Sequence, residues 1–67
     1  MNTFATRLKE LRIERGLTQT ALAIATNLSQ TAIAKWENGT RSPSADMIVV
    51  IAKFFSVSSD YLLGLED

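Results

Sequence analysis

The chain has 67 residues, 46% hydrophobic and 21% charged, a composition typical of one small folded domain and unlike that of a disordered or membrane-spanning chain. It contains no cysteine and no histidine, which excludes disulfides, thiolate nucleophiles, imidazole bases and the usual zinc sites. Seven basic and seven acidic side chains give a net charge of zero, which argues mildly against a nucleic-acid-binding protein.

The charge is nevertheless distributed unevenly. Residues 1–39 carry five basic and three acidic side chains, a balance of +2, and residues 40–67 carry two basic and four acidic ones, a balance of −2. A locally positive surface is therefore compatible with the zero sum. No apolar run reaches the roughly 18 residues of a membrane span, and MNTFATRLKELR becomes charged before any signal-like segment develops. We therefore predict a cytoplasmic protein with no membrane partner, metal or cofactor.

Apolar periodicity and helix-capping residues predict five helices and no strand. Gly16 and Asn27 suit the left-handed residue that ends a helix, and Leu17 can fold back onto the first helix. In chain order, the predicted helices span about Thr3 to Arg15, Gln19 to Thr26, the stretch between the cap Ser29 and Asn38-Gly39, Ala45 to Phe55, and Ser59 to Leu63. The prediction is an all-α, five-helix bundle forming one domain over residues 1–67.

The connection between the second and third predicted helices is short, about Asn27-Leu28-Ser29. So few residues do not allow the helices to lie antiparallel, so they must cross steeply, as in a helix-turn-helix. Ala23 supplies the small side chain that a close crossing needs. We place this helix-turn-helix unit at about residues 18–38.

The third helix, in the stretch LSQTAIAKWENG, has an unusual polar face. Ile33 and Trp36 point inward, and only Lys35 carries a charge on the other side. A helix face that contacts only water is normally rich in Glu and Lys, so this face is poorly explained by solvation alone. Its outward positions are Gln30, Thr31, Ala34, Lys35 and Asn38.

The run GLTQTALAIATNLSQTAIAKWENG, from Gly16 to Gly39, resembles the Cro-and-repressor type of helix-turn-helix, also called the xenobiotic-response-element type. The flanks RLKELRIERG and SPSADMIVVIAKFFSVSSDYLLG extend the resemblance from about Phe4 to Gly64. It implies a lambda-repressor-like DNA-binding domain of prokaryotic or phage type, usually a homodimer, whose third helix enters the major groove of double-stranded DNA.

The resemblance also implies particular DNA contacts. Gln can bond adenine, Lys can bond guanine, and Thr or Ala can contact a thymine methyl. The implied base contacts are Gln30, Thr31, Ala34 and Lys35. The implied phosphate contacts are Thr18, Gln19, Asn38, Thr40 and Arg41.

Two further groups of residues have structural interpretations. The family often has an Arg–Glu ion pair at Arg12 and Glu37, which we interpret as orienting the recognition helix. A second apolar line on the fourth helix, with residues near the C-terminus, either thickens the core or forms a two-fold dimer interface. Its members are Met47, Val50, Phe54, Tyr61, Leu62 and Leu65.

The leading hypothesis is a non-enzymatic, sequence-specific transcriptional regulator that represses transcription by binding a short palindromic operator. The alternative is a protein-interaction adaptor that keeps the fold without binding DNA, favoured by the zero net charge, an uncharged second helix and the outward Ile24. The sequence does not favour a carboxylate-based enzyme, because it has no acid pair on one face and no glycine-rich phosphate loop. The pattern does not separate repressor from activator, or a phage repressor from a restriction-modification controller or an antitoxin.

Overall fold

The computed structural model describes residues 2–66, in which five α-helices are joined by short loops. They are α1 (Thr3–Glu14), α2 (Gln19–Thr26), α3 (Gln30–Glu37), α4 (Ala45–Phe55) and α5 (Ser59–Leu63). The all-α prediction is confirmed, and the bounds differ only at the end of α1, where Arg15 is the C-cap. Within residues 2–66, no helix has the length and apolar character needed to cross a bilayer.

Each helix begins at a polar side chain that caps its free N–H groups. The five caps each accept a hydrogen bond from the backbone N–H three residues later, at 2.9 to 3.3 Å. They are Asn2, Thr18, Ser29, Ser44 and Ser58. Each cap stabilises its helix by about 1 kcal/mol, so the helix starts are determined locally.

The helices end at residues in the left-handed conformation. After α1, Gly16 has φ 68°, and the N–H of Leu17 donates to the carbonyl of Arg12 at 3.1 Å. Leu17 then packs against the core, as expected. Asn27 (φ 58°) and Ser56 (φ 56°) end α2 and α4 without the freedom of glycine. The strain is about 1–2 kcal/mol at Ser56 and smaller at Asn27, because asparagine tolerates this conformation better.

The core is centred on Trp36 of α3, whose side chain is 1% exposed. The ring of Phe4 meets it edge-on, with centroids 6.2 Å apart. All five helices contribute to this core: its fully buried side chains are Trp36, Leu8, Leu22, Ile33, Ile51 and Leu62. Removing a core side chain of this size costs about 3–5 kcal/mol, so the inner face of α3 is held firmly.

The core corrects one prediction for the apolar line near the C-terminus. Leu62 has no exposed surface, so the expectation that it contacts a second copy is wrong. α5 makes little more than one turn, and its single inward position is filled by Leu62. Met47 and Phe54 are half-buried against the core.

The end of α5 lies against the start of α1. A Cβ at Gly64 would come within 2.9 Å of Thr3 Cγ2, so only glycine fits this approach. Arg7 Nη1 donates to the carbonyls of Tyr61 and, at 2.6 Å, of Glu66. The guanidinium of Arg7 also lies 4.2 Å from the centroid of the Tyr61 ring. Residues 61–66 are therefore fastened to α1.

Candidate nucleic-acid interface

The two sides of α3 differ in burial. Ala32, Ile33 and Trp36 are buried, whereas Gln30, Thr31, Ala34, Lys35 and Asn38 lie on the side away from the core. Of these five, Ala34 is half-buried and the other four are exposed. The helix therefore presents a row of short polar groups to solvent on a rigidly packed support.

The ion pair at Arg12 and Glu37 is present and connects α1 to α3. Arg12 Nε lies 2.7 Å from Glu37 Oε2, and Arg12 Nη2 lies 2.9 Å from Glu37 Oε1. The two side chains are 12% and 4% exposed, respectively. Arg12 Nη1 also donates to the carbonyl of Leu17 at 2.8 Å. The hydrogen bonding that Arg12 donates to Glu37 raises the pKa of Arg12, although burial opposes the shift, so this arginine stays charged.

Gln19 extends the ion pair toward the exposed row of α3. Its Nε2 donates to Glu37 Oε1 at 3.2 Å, and its Oε1 accepts from Gln30 Nε2 at 3.0 Å. We call the chain Arg12–Glu37–Gln19–Gln30 the polar relay. Gln30, at the start of α3, is bonded to Gln19 of α2. Gln19 is bonded in turn to Glu37 at the far end of α3, which pairs with Arg12 of α1.

Sequence reasoning missed the two hydrogen bonds of Gln19. The sequence predicts Gln19 as a phosphate contact or as simply exposed, whereas the side chain is half-buried within the relay. One feature of the sequence indicates the bond to Gln30: Gln19 and Gln30 are the first residues of α2 and α3, which a short connection joins.

The other predicted phosphate contacts lie at the two ends of the helix-turn-helix. Thr18 caps α2, its Oγ1 accepting from the N–H of Ala21 at 3.0 Å. After α3, Asn38 Oδ1 accepts from the backbone N–H of Thr40 at 3.0 Å and from its hydroxyl at 2.6 Å. Arg41 is exposed on the following loop. Their contact with DNA stays a prediction.

The six residues predicted for a dimer interface are not gathered on one exposed surface. Val50 (37%) and Leu65 (73%) are exposed, whereas Met47 and Phe54 pack against the core and Tyr61 lies under Arg7. Leu62 is fully buried, as described above. Ile24 on α2 is 78% exposed, in agreement with its predicted outward position.

Comparison with known proteins identifies the family. The helix-turn-helix family model matches residues 8–62, and the chain belongs to the helix-turn-helix family, of the Cro/repressor type that the sequence resembles. The chain is 31% identical to the restriction-modification controller protein C.AhdI of Aeromonas hydrophila, with a TM-score of 0.82 over 91% of this chain and 92% of that one.

Curated relatives are named as regulators of transcription. The chain is 44% identical over 64 residues to the activator BcrR of Enterococcus faecalis, covering 96% of this chain and 31% of BcrR. It is 34% identical over 61 residues to the regulator ImmR of Bacillus subtilis, covering 91% of this chain and 48% of ImmR. It is 32% identical over 54 residues to the CTXphi repressor RstR of Vibrio cholerae, covering 81% of this chain and 49% of RstR. The chain thus spans about a third to a half of these relatives.

Proposed function

We propose that this protein is a sequence-specific DNA-binding transcriptional regulator that places α3 in the major groove of its operator. The observation that carries the proposal is the polar relay, which fixes Gln30 at the edge of an exposed row that is otherwise almost uncharged. A side chain that contacts only water has no need to be held in one position, so a fixed Gln30 favours a surface that binds a partner. The regulator names of the relatives support the same class of function.

Gln30 keeps the hydrogen-bonding groups that adenine readout requires. One N–H of its Nε2 is donated to Gln19, which leaves the second N–H and Oε1 for N7 and N6 of adenine. Thr31 and Lys35 extend the readout along α3, with Lys35 donating to guanine, and Ala34 contacts a thymine methyl. Specificity on this proposal comes from these four residues.

Positioning on the duplex is assigned to Thr18, Gln19, Asn38, Thr40 and Arg41, which carry backbone contacts rather than base readout. Arg41 is the only charged member of this group. A homodimer would place two copies of α3 about 34 Å apart and so read a short palindrome. For the dimer surface we retain Val50 and Leu65, the exposed members of the predicted set.

We propose repression as the regulatory outcome. Occupying an operator blocks a promoter through the DNA contact alone, whereas activation requires a second surface for the transcription machinery. The relatives include proteins named as an activator and as a repressor. A reporter gene placed behind the selected operator distinguishes the two: expression that rises with the protein contradicts repression.

The function is tested by selecting binding sequences from a randomised duplex pool and titrating salt on the enriched site. We expect a two-fold symmetric motif that binds more weakly as salt rises. Lys35→Ala should relax the preference at one base, and an equal loss for every duplex would remove its base-reading role. Failure of the wild-type protein to enrich any sequence would favour the adaptor, for which the exposed Ile24 is the first docking position to mutate.

A further inference from the structure

A polar cleft of about 350 Å³ opens beside the relay, where α1, the start of α2 and the end of α3 meet. Sequence reasoning selected several of its residues but not Lys9, and we call it the Lys9 cleft. It is lined by Lys9, Arg12, Gln19, Ala34, Glu37 and Asn38.

The free hydrogen-bonding capacity of the Lys9 cleft consists mostly of donors. Its one carboxylate, Glu37, already accepts two bonds from Arg12 and one from Gln19. The side-chain oxygen of Asn38 is occupied by Thr40, which leaves its NH₂ group. A second N–H of Gln19 and the ammonium of Lys9 complete the set. A ligand that only accepts hydrogen bonds matches this lining.

The charge of the lining favours an anion. Arg12 compensates Glu37 directly, so Lys9 supplies the excess positive charge. Within residues 2–66, Lys9 forms no ion pair with a carboxylate. An exposed lysine has three donors and a mobile stem, which suits a phosphate approached from one side.

The position of the cleft relates this anion to DNA. Ala34 and Asn38 line the cleft and also belong to the row on α3 that begins at Gln30, because residues four apart share one side of a helix. With that row in the major groove, the cleft faces the sugar-phosphate backbone at the edge of the groove.

We infer that the Lys9 cleft receives a backbone phosphate of the bound duplex and that Lys9 neutralises it. The inference rests on the proposed function and adds α1 to the elements that contact DNA. It also supplies positive charge at the interface of a protein whose net charge is zero. A free phosphate ion has the same chemistry, so the test separates the two sources.

The test compares Lys9→Ala with Lys53→Ala, which removes the same charge from an exposed position on α4. For Lys9→Ala, we expect the slope of log affinity against log salt to become shallower by about 0.9, which lowers affinity about eightfold at 0.1 M salt. The loss should be equal for the selected operator and for unrelated duplexes. Lys53→Ala and Lys9→Arg should keep the wild-type slope, and thermal unfolding should show that both alanine variants fold.

A second measurement locates the phosphate. Operator phosphates are replaced one at a time by neutral methylphosphonates, and affinities are measured for the wild type and Lys9→Ala. One replacement per half-site should weaken the wild type clearly more than it weakens Lys9→Ala, in which Gln19 and Asn38 still line the cleft. Additive losses at every position would overturn the inference, as would an unchanged salt slope or a loss confined to one base sequence.

The outcomes separate this inference from the proposed function. A wild type that binds no duplex overturns both. If the wild type binds its operator and Lys9→Ala binds it with the same affinity and salt slope, only the inference about the Lys9 cleft is overturned. Titration of inorganic phosphate into the ¹⁵N-labelled wild type tests the other source of phosphate. Saturable binding at the cleft, with no methylphosphonate effect, would mean that the cleft binds a free anion and would overturn the inference that it binds a phosphate of the duplex.

Discussion

Arg7 and Arg12 lie on the same helix and fasten it to different parts of the chain in different ways. Arg12 pairs with the buried carboxylate of Glu37 on α3 through two hydrogen bonds. Arg7 donates to the neutral carbonyls of Tyr61 and Glu66 and lies over the Tyr61 ring. A buried charged pair is sensitive to the loss of either partner, whereas water can replace bonds to carbonyls that are only partly buried or exposed. We therefore expect changes at the two arginines to differ in both size and function.

The largest effect is expected for Glu37→Ala. It leaves Arg12 without its counter-charge in a mostly buried position, which should lower the free energy of unfolding by about 3–5 kcal/mol. Urea denaturation measures this loss. A cost below about 1 kcal/mol would mean that the pair is as weak as an exposed one.

The double variant Arg12→Met with Glu37→Leu separates stability from orientation. Replacing both charges with apolar side chains removes the uncompensated charge, so the double variant should be clearly more stable than Glu37→Ala. It should still bind the operator weakly, because Gln19 has lost its acceptor on Glu37. Wild-type affinity in the double variant would contradict an orienting role for the pair.

A smaller effect is expected for Arg7→Met. The variant keeps an apolar stem of similar length but loses two hydrogen bonds to carbonyls and the contact with the Tyr61 ring. Unfolding free energy should fall by about 1–2 kcal/mol. Operator affinity at a temperature where the variant is fully folded should be unchanged, and a specific loss of DNA binding would show that the two anchors are coupled.

The smallest effect on stability is expected for Gln19→Ala, within about 0.5 kcal/mol, because Glu37 keeps both bonds from Arg12. Its operator affinity should fall about tenfold, or 1.4 kcal/mol, on losing a phosphate contact. Discrimination at the base read by Gln30 should also decrease, since Gln19 holds that side chain. Binding to the operator and to a duplex altered at that base measures both effects. Thr20→Ala, an exposed neighbour on α2, is the control that should change neither.

Interactions between residues close together in the sequence could be predicted, whereas most contacts between helices could not. Helix starts at Thr18, Ser29, Ser44 and Ser58 were readable because a cap bonds within three residues of itself. The inward positions of Ile33 and Trp36 followed from helical periodicity, and the spaced motif between Gly16 and Gly39 indicated the family that the comparison confirms.

Other contacts depended on how the helices rotate and pack against each other. The hydrogen bonds of Gln19 require α1, α2 and α3 to meet with particular side chains facing inward, which periodicity does not specify. The prediction for Leu62 was wrong because a helix of little more than one turn is too short for apolar periodicity to show which side faces the core. The contacts of Arg7 depend on residues 64–66 turning back onto α1. The sequence therefore predicts the helices but not most of the side-chain hydrogen bonds that join one helix to another.

The burial of Trp36 provides a label-free optical probe. It is the only tryptophan in the sequence, and its indole lies in the core beside Phe4. Indole emission shifts to longer wavelength when the ring enters water, so unfolding of the core can be followed at the centre of α3 itself. Because the ring faces away from the exposed row, a duplex bound there should leave the emission maximum unchanged. One fluorescence signal therefore reports whether α3 remains packed while DNA binding is measured by other means.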